Sequence, residues 1–112
     1  MRLITALAVA IGVLWSTAAM AQDQAKIDQG MKVFAAQKCS VCHSIAGKGM
    51  AKGPLDGVGS RLSADEIHQW LVNPAEMSKK AGSTRKPPMK SYANLSKDDQ
   101  DALVAFMLSL KK

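Results

Sequence analysis

The chain has 112 residues, enough for one domain, and its 15 Lys and Arg against 9 Asp and Glu give a net charge of +6. A basic balance of this kind suits nucleic acid, an anionic membrane or an acidic protein. No basic stripe interleaved with aromatic residues runs through the sequence and its start reads as an export signal, so nucleic acid is not the expected partner.

Residues 1–21 read as a secretory signal peptide. Met1 and Arg2 form a short basic start, an apolar run extends from Leu3 through Trp15, and Ala19-Met20-Ala21 is a small-x-small cleavage site. Cleavage after Ala21 leaves one domain, 22–112, and directs it to the periplasm. The alternative is a retained anchor, because Leu3–Met20 approaches the length that spans a bilayer. Loss of Arg2 leaves 14 basic against 9 acidic residues, a charge of +5.

Gln24–Gln37 predicts the first helix, with Ile27, Gly30, Met31 and Phe34 on one face. A glycine in mid-face costs helix propensity, so Gly30 predicts the close approach of another backbone. Met31, on this stripe, reads as packing. Ala46–Gly59 reads as loop, being dense in glycine around Pro54. Such a run resembles a phosphate-cradling loop, but no Gly-Lys-Ser/Thr ending follows and no strand precedes it. Ser63-Ala64-Asp65-Glu66 is a capping box opening a second helix whose apolar face is Ile67, Trp70 and Leu71. Asn73-Pro74 ends it, since the residue before proline is pushed out of helical geometry. His68 lies off that face and reads as a surface histidine.

Met77–Lys90 reads as a polar loop holding Lys79, Lys80, Arg85, Lys86 and Pro87-Pro88. Ser96 caps a last helix with Asp98, Asp99 and Asp101 at its positive end and Lys111 and Lys112 at its negative end. Its inward stripe is Leu103, Phe106, Met107 and Leu110. No alternating strand pattern occurs, so the fold class is all-α, with the first and last helices crossing at Gly30.

The chemistry is carried by Cys39-Ser40-Val41-Cys42-His43, a C-x-x-C-H sequence that holds both cysteines of the chain. On one helical turn two thiols three apart face the same way, so each can add to a vinyl group of one haem, and the adjacent His43 can ligate the iron. Other readings of the pair are a Cys39–Cys42 disulfide, a thioredoxin-like redox couple, and a zinc site drawing on Cys39, Cys42, His43 and His68. The redox couple lacks its βαβ setting, and adjacent Cys42 and His43 fit one tetrahedral ion poorly. Outside the signal the aromatic residues are Phe34, Trp70, Tyr92 and Phe106. A large flat apolar cofactor suits a core so short of large side chains.

An electron-carrying haem iron takes a second axial ligand. Met31, Met50, Met77, Met89, Met107 and His68 are the candidates after processing. Met89 is favoured because Pro87-Pro88 stiffens the segment that presents it.

Over residues 24–110 the chain resembles a class I cytochrome c. The resemblance is carried in order by Gly30-Met31-Lys32-Val33-Phe34, Cys39–His43, Gly53-Pro54 with Leu55 and Gly57, Gly59-Ser60-Arg61, Trp70-Leu71-Val72-Asn73-Pro74, Pro87-Pro88-Met89, and Leu103-Val104-Ala105-Phe106. It implies about four short helices around one covalent haem c, and His43 and Met89 as axial ligands. It implies a Pro54 carbonyl that accepts from the second His43 ring nitrogen, Arg61 near a haem propionate, and Trp70 on the methionine side. Many members have a tryptophan before the helix that Ser63 caps; this chain has Ser60-Arg61-Leu62-Ser63.

The expected function is single-electron transfer between exported or membrane-bound redox proteins, not enzyme catalysis, with no obligatory small-molecule substrate. Lys38, Lys52, Lys86 and Lys90 flank the motif and the methionine loop and are expected to dock partners with acidic surfaces. Membrane contact is expected only through partners or an uncleaved signal. Alternatives are a fixed cytochrome subunit of a membrane oxidoreductase and a haem gas sensor or peroxidase.

Overall fold

The computed structural model describes residues 23–112, so the signal expected at 1–21 lies outside the described residues. Helix α1 occupies 23–36. A 3₁₀ turn, Cys39–Val41, leads into a two-stranded antiparallel ribbon, β1 (Ser44–Ile45) with β2 (Lys48–Gly49). Then follow α2 (Val58–Arg61), α3 (Ala64–Val72), α4 (Pro74–Ala81) and α5 (Lys97–Ser109). The fold is all-α in character, as the sequence predicts. Among the described residues no helix is long and apolar enough to cross a membrane.

Helix α5 is the centre. Its Ala102, Leu103, Phe106 and Met107 are buried, and Val58, Ile67 and Leu71 from α2 and α3 complete the core. Helix α1 crosses it at Gly30, as expected: a Cβ there would overlap the Ala102 carbonyl oxygen and lie 2.6 Å from Phe106 Cβ. One turn later Phe34 meets Phe106 edge to face, centroids 5.6 Å apart. The quadrupoles of two rings favour that geometry. Met31 is 52% exposed, so it does not fill the core as its place on the apolar stripe suggests.

The capping box forms as read: Glu66 N–H donates to Ser63 Oγ at 3.2 Å, and Ser63 N–H donates to the Glu66 carboxylate at 3.1 Å. Ser96 caps α5 through Asp99 N–H at 3.1 Å. Three short elements depart from the sequence reading. Helix α4 occupies the first part of the expected Met77–Lys90 loop, because Pro74 does not simply end α3. It opens α4 at the first helical position, where its fixed φ is favourable and its missing N–H costs nothing. The single-turn helix α2 lies within and just beyond the expected loop, held by tertiary bonds: Gly59 N–H donates to the Leu110 carbonyl at 2.9 Å, and Lys111 Nζ donates to the Gly59 carbonyl at 2.7 Å. The ribbon β1–β2 is too short to show alternation and turns through Ala46 and Gly47, both at positive φ.

Candidate functional site

The site begins where α1 ends. Lys38 takes a left-handed conformation, φ 57°, and starts the chain on a new turn at Cys39. The amides of Cys42 and His43 both donate to the Cys39 carbonyl, at 3.1 and 2.9 Å. The Cys42 amide closes a tight turn onto Cys39, which keeps the two cysteines on one short hydrogen-bonded loop. Both are free thiols, half-buried. Burial pushes the Cys39 thiol up, against a backbone hydrogen bond and the nearby Lys90 ammonium.

The ribbon then folds back under the motif. Met50 N–H donates to the Ser40 and His43 carbonyls, both at 3.1 Å, which brings Gly53 beside His43. His43 Nδ1 donates to the Gly53 carbonyl at 3.1 Å. A carbonyl can only accept, so Nδ1 carries a proton, and in the neutral ring Nε2 keeps its lone pair. Burial lowers the imidazole pKa, and the Arg85 charge acts in the same direction against the Gly53 hydrogen bond, so both favour the neutral form that a metal ligand requires.

The acceptor is Gly53, not Pro54 as the resemblance implied. Ser44 pairs with Pro54 in a parallel bridge. In that register Ser44 N–H donates to the Gly53 carbonyl at 3.0 Å and Leu55 N–H donates to the Ser44 carbonyl at 2.8 Å, so the carbonyl turned toward residues 43 and 44 is the one before the proline. Pro54 is exposed and lines an open cleft with Arg61, itself exposed at the end of α2.

Met89 is half-buried. The chain just beyond it is tied to the end of α3: Tyr92 N–H donates to the Leu71 carbonyl at 2.7 Å and Ser91 Oγ donates to the Val72 carbonyl at 3.1 Å. Lys90 Nζ sits 5.3 Å from the Tyr92 ring centroid. Burial raises the Tyr92 phenol, and the charges of Cys39 and Cys42 add to the effect. Trp70 is half-buried between buried Ile67 and Leu71 in the sequence of α3. Lys38, Lys52, Lys86 and Lys90 are all exposed. Lys52 and Lys86 line one open cleft with Val41, Cys42, Met50 and Pro87.

Three residues matter more than the sequence suggested. Gly53 supplies the carbonyl for His43; a Cβ there would overlap the Cys42 carbonyl and the Arg85 guanidinium. Arg85 Nη2 donates to the Cys42 carbonyl at 2.7 Å, and nothing in the sequence separates it from the other cations of its loop. Gln100 is buried, and its Nε2 donates to the Ala93 and Leu95 carbonyls at 3.3 and 2.9 Å. Its Oε1 therefore accepts from His68 Nε2 at 3.0 Å, so His68 is a half-buried tie between α3 and α5 rather than a free surface histidine. The signal for Gln100 was its place three residues before Leu103 and seven before Met107, on the inward stripe.

Among the described residues no group of three or more His, Cys, Asp or Glu is placed to hold a metal ion, so the zinc set drawn from Cys39, Cys42, His43 and His68 is not assembled. The donors do fit a tethered haem: two free thiols on one tight turn, and next to them an imidazole whose Nδ1 is held by a carbonyl, leaving Nε2 to face a metal.

The family model described as Cytochrome c matches residues 27–111. The cytochrome c oxidase subunit 2 of Alkalihalophilus pseudofirmus (strain ATCC BAA-2126 / JCM 17055 / OF4) is 31% identical over 93 residues, which cover 75% of this chain and 25% of that protein. The chain thus spans a small part of that relative's length. No solved structure matches the chain.

Proposed function

The chain belongs to the cytochrome c family, and from that premise we propose that it is a single-electron carrier in which Cys39 and Cys42 would tether one haem c and His43 and Met89 would hold its iron. The observation that carries the reading is two free thiols on one tight turn beside the oriented His43 ring. When bound, the haem supplies a one-electron couple at its iron. The residues of the chain do the rest. Two thioether tethers would keep the imidazole local, so that His43 could hold the metal at low entropic cost. The Gly53 carbonyl fixes its tautomer and raises its basicity. Met89, on a loop tied to α3, offers a thioether, a ligand that favours the reduced metal. One electron is taken from a reduced protein donor and passed to an oxidised protein acceptor; no bond forms or breaks.

Pro54, Arg61 and Trp70 belong to the haem surroundings in this reading, with Arg61 facing a propionate. Lys38, Lys52, Lys86 and Lys90 steer partners with acidic docking surfaces, in the periplasm, after removal of the signal. A second reading has one observation in its favour: the relative from A. pseudofirmus is named as an oxidase subunit, so this chain could serve as a fixed cytochrome subunit of a membrane complex. Fractionation separates the two, a carrier being released with the soluble material and a subunit staying with membranes.

The deciding experiment is the oxidised and reduced visible spectrum of protein exported alongside c-type maturation machinery. A pigment that survives acid-acetone and shows the weak sulfur-to-iron band near the red end is expected, with no rapid change on adding carbon monoxide to the reduced form. Met89→Ala should lose that band and gain carbon monoxide binding. A colourless product, or an immediate carbon monoxide response in the unaltered protein as a sensor or peroxidase would give, overturns the reading.

A further inference from the structure

Three segments that are distant in sequence converge behind His43. The Cys42 carbonyl belongs to the peptide that joins a thiol to the axial imidazole. Gly53 supplies the acceptor for that imidazole. Arg85 lies four residues before Met89, on the loop that follows α4, and its Nη2 donates to the Cys42 carbonyl at 2.7 Å. The guanidinium reaches that carbonyl over the face of Gly53: a Cβ on Gly53 would overlap Arg85 Nη1 and lie 3.0 Å from its Cζ. Glycine at 53 thus serves both partners, giving its carbonyl to His43 and its open face to Arg85.

Among the described residues the Arg85 charge forms no ion pair; the pairs present are Lys26–Asp98 and Lys97–Asp101. A charge-assisted bond to a carbonyl is stronger than a neutral one and leaves the positive charge in place. The Cys42 carbonyl that Arg85 holds belongs to the peptide leading into His43, so the charge is fixed close to the imidazole.

We propose that Arg85 is a positioning residue of the electron-transfer site: it ties the histidine side of that site to the loop bearing Met89, and its charge biases the site toward the reduced state. This rests on the haem reading above. The physical reason is simple. Oxidation adds one positive charge beside the imidazole, and a fixed cation nearby raises the cost of that addition. Because the side chain is exposed, water and salt screen the effect and keep it modest.

The test uses the haem-loaded protein and its Arg85→Gln and Arg85→Lys variants, comparing midpoint potentials by redox titration at low salt. Arg85→Gln should shift the equilibrium three- to tenfold toward the oxidised form, tenfold being about 59 mV for a one-electron couple. Arg85→Lys, which keeps the charge, should recover most of that shift. Raising the salt should narrow the gap between the unaltered protein and Arg85→Gln. The inference is overturned if Arg85→Gln titrates like the unaltered protein, or if Arg85→Lys falls as far as Arg85→Gln. Should Arg85→Gln fail to accumulate, Arg85→Lys decides: a potential near that of the unaltered protein supports the role of charge, and a tenfold shift refutes it. Failure of the haem reading looks different, since the unaltered protein itself would then lack the covalent pigment.

Discussion

His43 Nδ1 lies 3.1 Å from the carbonyl oxygen of Gly53, and that one hydrogen bond decides which ring nitrogen can face a metal. It depends on the parallel pairing of Ser44 with Pro54, which turns the Gly53 carbonyl inward.

Gly53→Ala should therefore be damaging out of proportion to its size. The added methyl meets the Cys42 carbonyl and the Arg85 guanidinium, and only the guanidinium can swing away. Overpacking of this kind costs about 1–3 kcal/mol. We expect a lower denaturant midpoint and, in the loaded protein, a weakened histidine ligand visible as a shifted reduced spectrum. Unchanged stability together with an unchanged spectrum would contradict the close approach.

Gly30→Ala sets two effects against each other. Alanine improves helix propensity by about 1 kcal/mol. The methyl, however, strikes the Ala102 carbonyl and Phe106 Cβ, which are parts of the central helix and cannot rotate aside. Separating α1 from α5 also loosens the Phe34–Phe106 contact. A net loss of about 1–3 kcal/mol is expected, measured by chemical denaturation followed by helical circular dichroism; a net gain would mean that the helices do not cross here.

Gln100→Leu removes both donors to the Ala93 and Leu95 carbonyls and the acceptor for His68. Stranding partly buried polar groups costs about 1–3 kcal/mol. Gln100→Glu should be no better, since a carboxylate faces two carbonyls with no hydrogen to offer. Both variants should loosen the chain beyond Met89, read as loss of the red-end sulfur-to-iron band at a lower temperature than in the unaltered protein. Equal melting of that band in all three proteins would remove Gln100 from this role.

The pH dependence follows from His43. Its pKa is held below the ordinary 6.5 by burial and by Arg85, so as pH falls below 6.5 the unfolded chain binds a proton that the folded chain refuses. Stability from this group is complete above 6.5 and is lost as pH drops through the lowered folded value. Metal bound at Nε2 extends the window further into acid, because proton and metal compete for one lone pair. Denaturant midpoints should be lower at pH 5 than at pH 7.5, and His43→Gln should flatten the difference between them.

The Cys39–His43 turn, the all-helical character, the capping box at Ser63 and the crossing at Gly30 were legible in the residues because each is a local or periodic property. Cysteines three apart face one way on a turn, Ser and Glu three apart satisfy each other's backbone, and a glycine on an apolar face announces a close neighbour. Helix α2 and the hydrogen bonds of Gln100 were not legible as such, because their partners lie far away in the chain. The same holds for the choice of Gly53 over Pro54, which is a matter of register: moving one residue along a strand exchanges which carbonyl faces His43. Arg85 is the clearest instance, since among the many cations of a basic chain only the folded backbone selects the one that reaches the Cys42 carbonyl.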